Sequence, residues 1–565
     1  MRILKYLAWG LGATILLCLT IFYFSVRMVP PLPSSDDNIS EDLERIDANQ
    51  YRYGNNLLIK NHQGLWEIYL EGKPYQRGVA FGALAQHLMK EKESAFIGEI
   101  KNRIPSEKYL NFLKYLVAWF NRDLDKYVPE ETLLEIYGAA AYMDDLFDYI
   151  APKYHRSLSY HGAHDIGHAL QNMNLVGCTS FATWGESSED NKLLIGRNFD
   201  FYFGEPFSRD KIVAFYKPDS GYKFMSVTWA GFSGVVSGMN EKGLTITLNS
   251  AKSEIPTKGK TPVSLIARQI LQYASNIEEA YTIASNYESF VAETFLIGSK
   301  ADGKVGLIEK SPQNTALHFS DTTYMVITNH FQSKELFNDP LNQEYIDEEV
   351  SVYRYAKTEQ LIDSLSPLNA KDAATILRDR SGIDNKNLGL GNEKAINQLI
   401  AHHGIIFAPE DLKVWVSCAP YQLGAFVTYD LNEVFDMSRS ESPSSFQAAD
   451  SLHIPADTFL LTKEYEQYEV FAKYRDLLQN FILAGKGDPF SEDELQAFEN
   501  SNPNCFLTYY YLGNYYKTLK NWEKAKYFYE KGLTLEIARV SEKKHMEESL
   551  KLCLEKLNDQ KNANS

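Results

Sequence analysis

The architecture of this chain turns on the stretch Val176-Gly177-Cys178-Thr179-Ser180-Phe181 and on the run that follows it, Leu193-Leu194-Ile195-Gly196-Arg197-Asn198-Phe199-Asp200. A glycine directly before a cysteine, with an Arg-x-x-Asp in the next apolar run, points to a nucleophile released by self-cleavage. If the Gly177–Cys178 bond is cut, Cys178 gains a free α-amine. A thiolate attacks acyl carbons better than a thiol, so the cysteine needs a base. An α-amine titrates at about 7.7–8.0 and a thiol at about 8.5, a good match near neutral pH. Threonine enzymes with a free N-terminus use the same arrangement, and no separate histidine is required.

Outward from Cys178 the pattern is one of short strands, expected at 178–184, 192–197, 211–217, 222–229 and 243–249. Helices follow at 262–274 and 277–286, the second opening on Asn276 and Glu279 as a capping box. Strands return at 291–298, 304–310 and 323–329, then helices at 344–365 and 370–379, then strands at 412–418 and 424–430. Strands in runs and helices in runs predict an α+β layered fold rather than βαβ winding. Upstream, Leu65 to Leu70 alternates like a strand, and 77–90 begins a mostly helical segment, so 51–177 reads as a helical pro-segment. Downstream, 438–454 is rich in Ser, Pro and Asp and reads as a linker. Residues 455–560 read as helical. There Leu512-Gly513, Tyr516, Ala525, Tyr529 and Gly532 have the offsets of a tetratricopeptide pair. That tail is read either as a docking platform for a protein partner or as a cap packed on its neighbour.

The chain has 565 residues, 44% of them hydrophobic and 23% charged, with a formal net charge of −17. That length calls for more than one domain, and that sign argues against nucleic acid as a partner. Arg2 and Lys5 precede an uncharged apolar run over 7–26, long enough to span a bilayer. No small-x-small cleavage site follows, so the run is expected to be an uncleaved anchor. The flanking charges place the N-terminus inside and the remainder on the outer side. Residues 28–50, with Pro30, Pro31 and Pro33, are expected to be a tether. Cys178, Cys418, Cys505 and Cys553 show no metal-type spacing. Cys505 and Cys553 are either bridged or buried free thiols.

Residues 178–435 resemble the N-terminal-nucleophile hydrolases of the choloylglycine hydrolase and isopenicillin-N acyltransferase group. The resemblance is carried by Gly196-Arg197-Asn198-Phe199-Asp200, by Gly238-Met239-Asn240-Glu241-Lys242-Gly243-Leu244, by Leu248-Asn249, by Val326-Ile327-Thr328-Asn329 and by Ser351-Val352-Tyr353-Arg354-Tyr355. The long segment before Cys178, with Trp66 to Gly72, Arg77-Gly78 and Phe81-Gly82, looks like the isopenicillin-N acyltransferase-like branch. The resemblance implies a four-layer αββα sandwich over 178–437 and cleavage between Gly177 and Cys178. It further implies Cys178 as nucleophile and, through its amine, as base. Asp200 would hold the amine and Arg197 the thiolate. Asn329 and the Asn249 region would form the oxyanion hole, with Arg354 steadying the site. Thr179 and Ser180 would support the cleavage turn.

The implied function is a self-cleaving amidohydrolase acting on small N-acyl amides or thioesters through a Cys178 thioester, without a cofactor or metal. Acyl transfer to an amine is the alternative, and a non-catalytic membrane scaffold the reading from another class. A papain-like protease would need a Cys–His pair that no local signature offers. Two histidine groups compete for attention. His155, His161, His164 and His168 crowd before the cleavage point, and His164-Asp165-Ile166-Gly167-His168 has the histidine spacing of a helical zinc motif. Asp165 stands where that motif has its base, and Gly162 and Gly167 weaken the helix, so a polar loop is expected. His402-His403 reads as a structural pair or a pocket wall.

Overall fold

The computed structural model describes residues 2–35, 41–104, 106–169, 177–201, 203–437, 443–485 and 487–563. The chain opens with helix α1 (Arg2–Ser25) and four strands, β1 (Leu43–Arg45), β2 (Gln50–Tyr53), β3 (Asn56–Lys60) and β4 (Trp66–Gly72). Helices α2 (Pro74–Arg103), α3 (Glu107–Phe120), α4 (Leu124–Tyr127), α5 (Glu130–Ala140) and α6 (Lys153–Ala169) follow. After Cys178 come β5 (Thr179–Thr183), β6 (Leu194–Phe199), a short α7 (Glu205–Ser208), β7 (Ile212–Pro218), β8 (Phe224–Thr228), β9 (Ser237–Asn240) and β10 (Leu244–Ser250). Next are α8 (Val263–Tyr273), α9 (Ile277–Asn286), β11 (Glu293–Ser299), β12 (Lys304–Lys310), β13 (Thr315–His318) and β14 (Tyr324–Ile327). The body closes with α10 (Pro340–Glu348), α11 (Ser351–Leu365), α12 (Ala370–Leu377), β15 (His403–Ala408), β16 (Lys413–Ser417), β17 (Phe426–Asp430) and α13 (Leu431–Asp436). The tail holds α14 (Lys463–Ala484), α15 (Glu492–Ser501), α16 (Phe506–Thr518), α17 (Trp522–Gly532) and α18 (Val540–Ala563).

Among these residues the strands form two sheets. One runs β1-β2-β3-β4-β7-β8-β9-β10-β11-β12-β13 and the other β14-β5-β6-β15-β16-β17. Alternation along each strand sends one set of side chains to each face. Phe215, Met225 and Leu296 of the large sheet meet Ile195, Ile327 and Val416 of the small one in a shared core. The opposite face of the large sheet, with Ile68, Ala214 and Ile246, packs on helices through Phe81, Ile136 and Ile270. The outer face of the small sheet, with Phe181, Val326 and Ile406, packs on Ile362, Ala373 and Ile376 of α11 and α12. The order is therefore helices, sheet, sheet, helices, an α+β arrangement.

The segment before Cys178 is more than helical. It supplies β1 to β4, and β4 joins β7 in parallel from Trp66 beside Ile212 to Gly72 beside Pro218. The missed signal was the two-residue turn Gly54-Asn55 between Tyr53 and Asn56, with Gly54 at φ +55°. That left-handed conformation suits glycine in a tight hairpin. Helix α2 then packs so closely on α5 that a Cβ at Gly78 would lie 2.0 Å from the Glu135 carbonyl oxygen. The same contact buries an ion cluster. Glu135 Oε2 accepts from Arg77 Nε and Arg268 Nη2, each at 3.1 Å, tying α2, α5 and α8 together. Burial alone would raise the Glu135 carboxyl; Arg268 and Arg77 outweigh it and hold the group below its ordinary value. Replacing Glu135 with Gln leaves two buried guanidiniums without their counter-charge. It is expected to cost about 3–5 kcal/mol, read as a lower urea midpoint.

Three other expected boundaries change. Of residues 28–50, 36–40 lie outside the described residues, and the rest is not a free tether. Met28 is buried, its carbonyl meets His155 Nε2 at 2.9 Å, and the Val29 amide donates to Asp125 Oδ2 at 3.1 Å. Of the expected linker, 438–442 lie outside the described residues, whereas 443–454 form a strap. Buried Glu67 accepts the Phe446 amide at 2.7 Å and the Ser445 hydroxyl, and Ile454 bridges Phe426. Polar groups elsewhere in the chain thus capture short apolar segments of these polar stretches. The helix expected over 344–365 is two helices, broken at Glu349 and Val350.

The tail is helical around a core that includes Phe471, Phe498, Tyr509 and Tyr529 and that Val350, Leu399 and Leu423 of the body share. Gly513 of α16 lies against the Tyr529 ring of α17. Cys505 and Cys553 are free and buried, so no bridge joins them. Arg539 pairs with Glu349 and Glu393, and Asn502 Nδ2 donates to the Leu390 carbonyl, seating the tail on the body. Helix α1 carries an apolar stretch, Lys5–Ser25, that by length and composition suffices to cross a membrane; signal sequences have the same character.

Candidate active site

Cys178 lies at the entry to β5, where the Gly177 amide donates to the Asp200 carbonyl at 3.1 Å just beyond β6. The antiparallel pairing sets Ser180 opposite Arg197 and Thr179 opposite Asn198. Gly196 is required there because a Cβ would sit 2.5 Å from the Phe181 ring. Alternation then aims Cys178, Ser180 and Arg197 at the space between the two sheets.

Arg197 reaches Cys178 Sγ with Nη2 at 3.6 Å. The same guanidinium donates to the carbonyls of Val236 and Leu248 and to Ser237 Oγ, so it is fully buried and held from several sides. Behind it Ser237 Oγ meets His403 Nε2 at 2.9 Å, and His403 Nδ1 meets His402 Nδ1 at 2.9 Å. The histidine pair thus backs the arginine rather than touching the thiol. Burial holds both imidazoles well below their ordinary pKa.

Arg354, near the start of α11, gathers the other side. Its Nη1 donates to the Cys178 carbonyl at 2.6 Å and to Thr179 Oγ1 at 2.8 Å, and its Nη2 to Asn329 Oδ1 at 2.6 Å. The helix break at Val350 places Ser351 so that its hydroxyl accepts the Asn329 amide at 2.8 Å. Asn329 Nδ2 donates to the carbonyl and hydroxyl of Ser250, at 2.9 and 3.1 Å. Asn249 accepts from Ser180 Oγ at 2.7 Å and donates to the Ile327 carbonyl at 3.3 Å. The structure therefore brings Cys178, Arg197, Asn329 and Arg354 together and reaches Asn249 through Ser180. In this uncut chain both asparagine amides are already engaged.

Asp200 is fully buried, and neither carboxylate oxygen has a hydrogen-bond partner among the described residues. Burial pushes its carboxyl up to about 7, against a smaller opposing pull from Arg354 and Arg197. Burial also pushes the Cys178 thiol up to about 11, with Arg197 pulling the other way. Such shifts mark a site where charge is withheld until something arrives to share it.

Two features escaped the sequence reading, and a third was expected only as a pocket loop over 201–207. Gln398 Nε2 donates to the Gly177 carbonyl at 2.9 Å, on the bond expected to break. Ser237 and Ser351 each position a charged or amide group. Cys178 also packs in an aromatic cluster with Phe199, Phe201, Phe207, Trp229 and Phe232. Several of those rings line an apolar cavity of about 60 Å³ that Phe96 and Tyr160 complete. The spaced Phe199, Phe201, Phe203 and Phe207 were the available signal. Of the other histidines, His155 meets the Met28 carbonyl, and His161 joins the Ser157 carbonyl to the Ser233 amide. The side chains of His164 and His168 lie outside the described part of the chain.

Comparison with known proteins agrees with the motifs. Residues 187–420 match the family described as acyl-coenzyme A:6-aminopenicillanic acid acyl-transferase. An uncharacterized protein of Archaeoglobus fulgidus is 27% identical over 282 residues, covering 46% of this chain and 46% of that protein. The match thus spans about half the length of that relative. Protein dcd1A of Dictyostelium discoideum is 22% identical over 415 residues, covering 69% of this chain and 90% of that one. Among solved structures, a Caenorhabditis elegans ortholog of N-acylethanolamine-hydrolyzing acid amidase aligns over 41% of this chain and 93% of its own, at 16% identity and a TM-score of 0.29.

Proposed function

From the kinship of residues 187–420 with that acyltransferase family, we propose that the chain is a self-cleaving amidohydrolase of the N-terminal-nucleophile type. It would cut itself between Gly177 and Cys178 and then hydrolyse N-acyl amides through Cys178. The observation that carries this reading is the buried carboxylate of Asp200, left without a hydrogen-bond partner among the described residues, beside the Gly177–Cys178 bond. A freed Cys178 ammonium would supply its missing partner.

In the first step Cys178 Sγ attacks the Gly177 carbonyl carbon, the C–N bond breaks, and the Cys178 nitrogen takes up the thiol proton. Asp200, at about 7, is a stronger base than an ordinary carboxylate and suits that transfer. Gln398 Nε2 meets the charge growing on the Gly177 oxygen. Water then cleaves the thioester, leaving a Gly177 carboxylate and a free N-terminal Cys178. In the mature form the amine takes the thiol proton, and Arg197 stabilises the thiolate. The thiolate attacks a substrate amide, the amine leaves with a proton, and water hydrolyses the acyl-Cys178 thioester. The aromatic cluster and its cavity suit an apolar acyl group. An amine in place of water would give acyl transfer, and the description of the matched family favours keeping that second reading.

Denaturing electrophoresis with N-terminal sequencing tests the proposal. The wild type should run as two fragments, the second beginning at Cys178, and should release free amine from N-acyl amides. An intact chain without turnover would sink it.

The proton balance can be checked in the Cys178→Ala protein, which should stay uncut. Asp200 has an ordinary value of 3.8 and stands at about 7 when folded. The folded state therefore binds a proton between those values that the unfolded state does not. Stability from this group rises as pH falls through about 7 and is lost as pH rises again. Urea midpoints at pH 8 and pH 5 should show that gain, and adding Asp200→Asn should remove it.

A further inference from the structure

We infer that helix α3 lies in the surface of a lipid bilayer, beside the point where α1 leaves it. Tyr109, Phe112, Leu116 and Trp119 recur at helical spacing along one stripe of α3, with Tyr115 next to it. All five are exposed, between 41% and 56%, and no residue of α3 is buried. A contiguous apolar stripe of this kind marks a site of contact with a membrane or a partner.

The occupant is named by α1. Phe22 of α1 stacks on Trp119 at 5.9 Å and meets Tyr115 edge-on at 6.2 Å. Phe22 lies three residues before the end of the apolar stretch at Ser25, about 4.5 Å along the helix axis. Trp119 and Tyr115 therefore sit at the depth where Trp and Tyr rings gather in membrane proteins. The junction is fixed rather than hinged, since Met28 is buried and Val29 is hydrogen-bonded to Asp125. A bilayer crossed by α1 must then meet α3. Its apolar face with Trp, Phe and Leu has the composition of an interfacial helix, which settles about 5–10 Å into the headgroup boundary. One further consequence concerns the cavity. Phe96, on its wall, lies seven residues before the end of α2 at Arg103, the end that leads into α3. An apolar acyl compound dissolved in the bilayer would thus start close to the cavity.

This inference rests on α1 spanning the membrane, and the test separates the two. The full-length Cys178→Ala chain is reconstituted in vesicles of three parts phosphatidylcholine to one part phosphatidylglycerol. Cys18 is exposed and the remaining cysteines are buried, so a spin label on Cys18 reports α1. A second protein, with Cys18→Ala and Leu116→Cys added, reports α3, and one with Cys18→Ala and Val352→Cys reports an exposed position on the body. Collision rates with oxygen and with a water-soluble nickel chelate give the depth of each label. The inference expects Cys18 and Leu116 labels to favour oxygen by about tenfold over the Val352 label, with Leu116 the shallower of the two. A Cys18 label in lipid with a Leu116 label in water overturns the placement of α3 alone. A Cys18 label in water overturns the span and this inference together, while leaving the proposed hydrolase chemistry untouched.

Discussion

Replacing Cys178 with alanine is expected to give a single uncut chain and to lower turnover of N-acyl amides by about 10⁴–10⁶, the range seen when a covalent nucleophile is removed. Both losses have one cause. In the proposed mechanism the sulfur that would attack the Gly177 carbonyl is the sulfur that would later carry the acyl group, so no other side chain should rescue either step. The change is small for the fold. Cys178 is one small member of an aromatic cluster, and losing its sulfur leaves Phe199, Phe201 and Trp229 stacked on one another. Circular dichroism should be unaltered, which separates lost chemistry from lost structure. Serine at the same place is the informative companion. Its hydroxyl needs more activation than a thiol, so slow cleavage with a persistent precursor is the expected outcome.

Gln398→Leu is expected to slow self-cleavage by about 10²–10³, the usual effect of losing one oxyanion donor. Its Nε2 is the side-chain donor on the Gly177 oxygen, 2.9 Å away, and leucine keeps much of the volume while removing the hydrogen bond. The readout is the rate at which fragments appear after synthesis is stopped. An unchanged precursor lifetime would mean that Gln398 only holds the backbone. Asn329 gives a contrast. Its amide is engaged by Ser250 in the uncut chain, so its loss should bear less on the first cut than Gln398 does.

The residues that meet at the site were largely legible, because each lies in a short motif with its own physical reason. Gly196 gives way to Phe181, Arg197 points between the sheets, and Asn329 follows the strand that pairs with β5. Gln398 was not legible. It sits in an irregular stretch with no periodicity, and only the tertiary fold brings it to Gly177, far away in sequence. The hairpin β2–β3 failed for a different reason, since its strands are too short for alternation to rise above chance. The strap at 443–454 shows a third kind of failure. Its polar composition is that of a linker, but Glu67 needs donors in the core and takes them from Ser445 and Phe446.

The parallel ladder between β4 and β7 straddles the bond that is expected to break. Strands from both sides of Cys178 join in one sheet, β1 to β4 forming one edge of it, and the Arg77–Glu135–Arg268 cluster crosses the same divide. Processing would therefore yield a two-chain enzyme whose parts share one sheet, not a released catalyst and a discarded leader. The large sheet is complete in neither chain, so neither should be obtainable in native form by separate expression. The mature catalytic chain, no longer bonded to α1, would still keep its address through seven backbone pairings and a buried charge cluster.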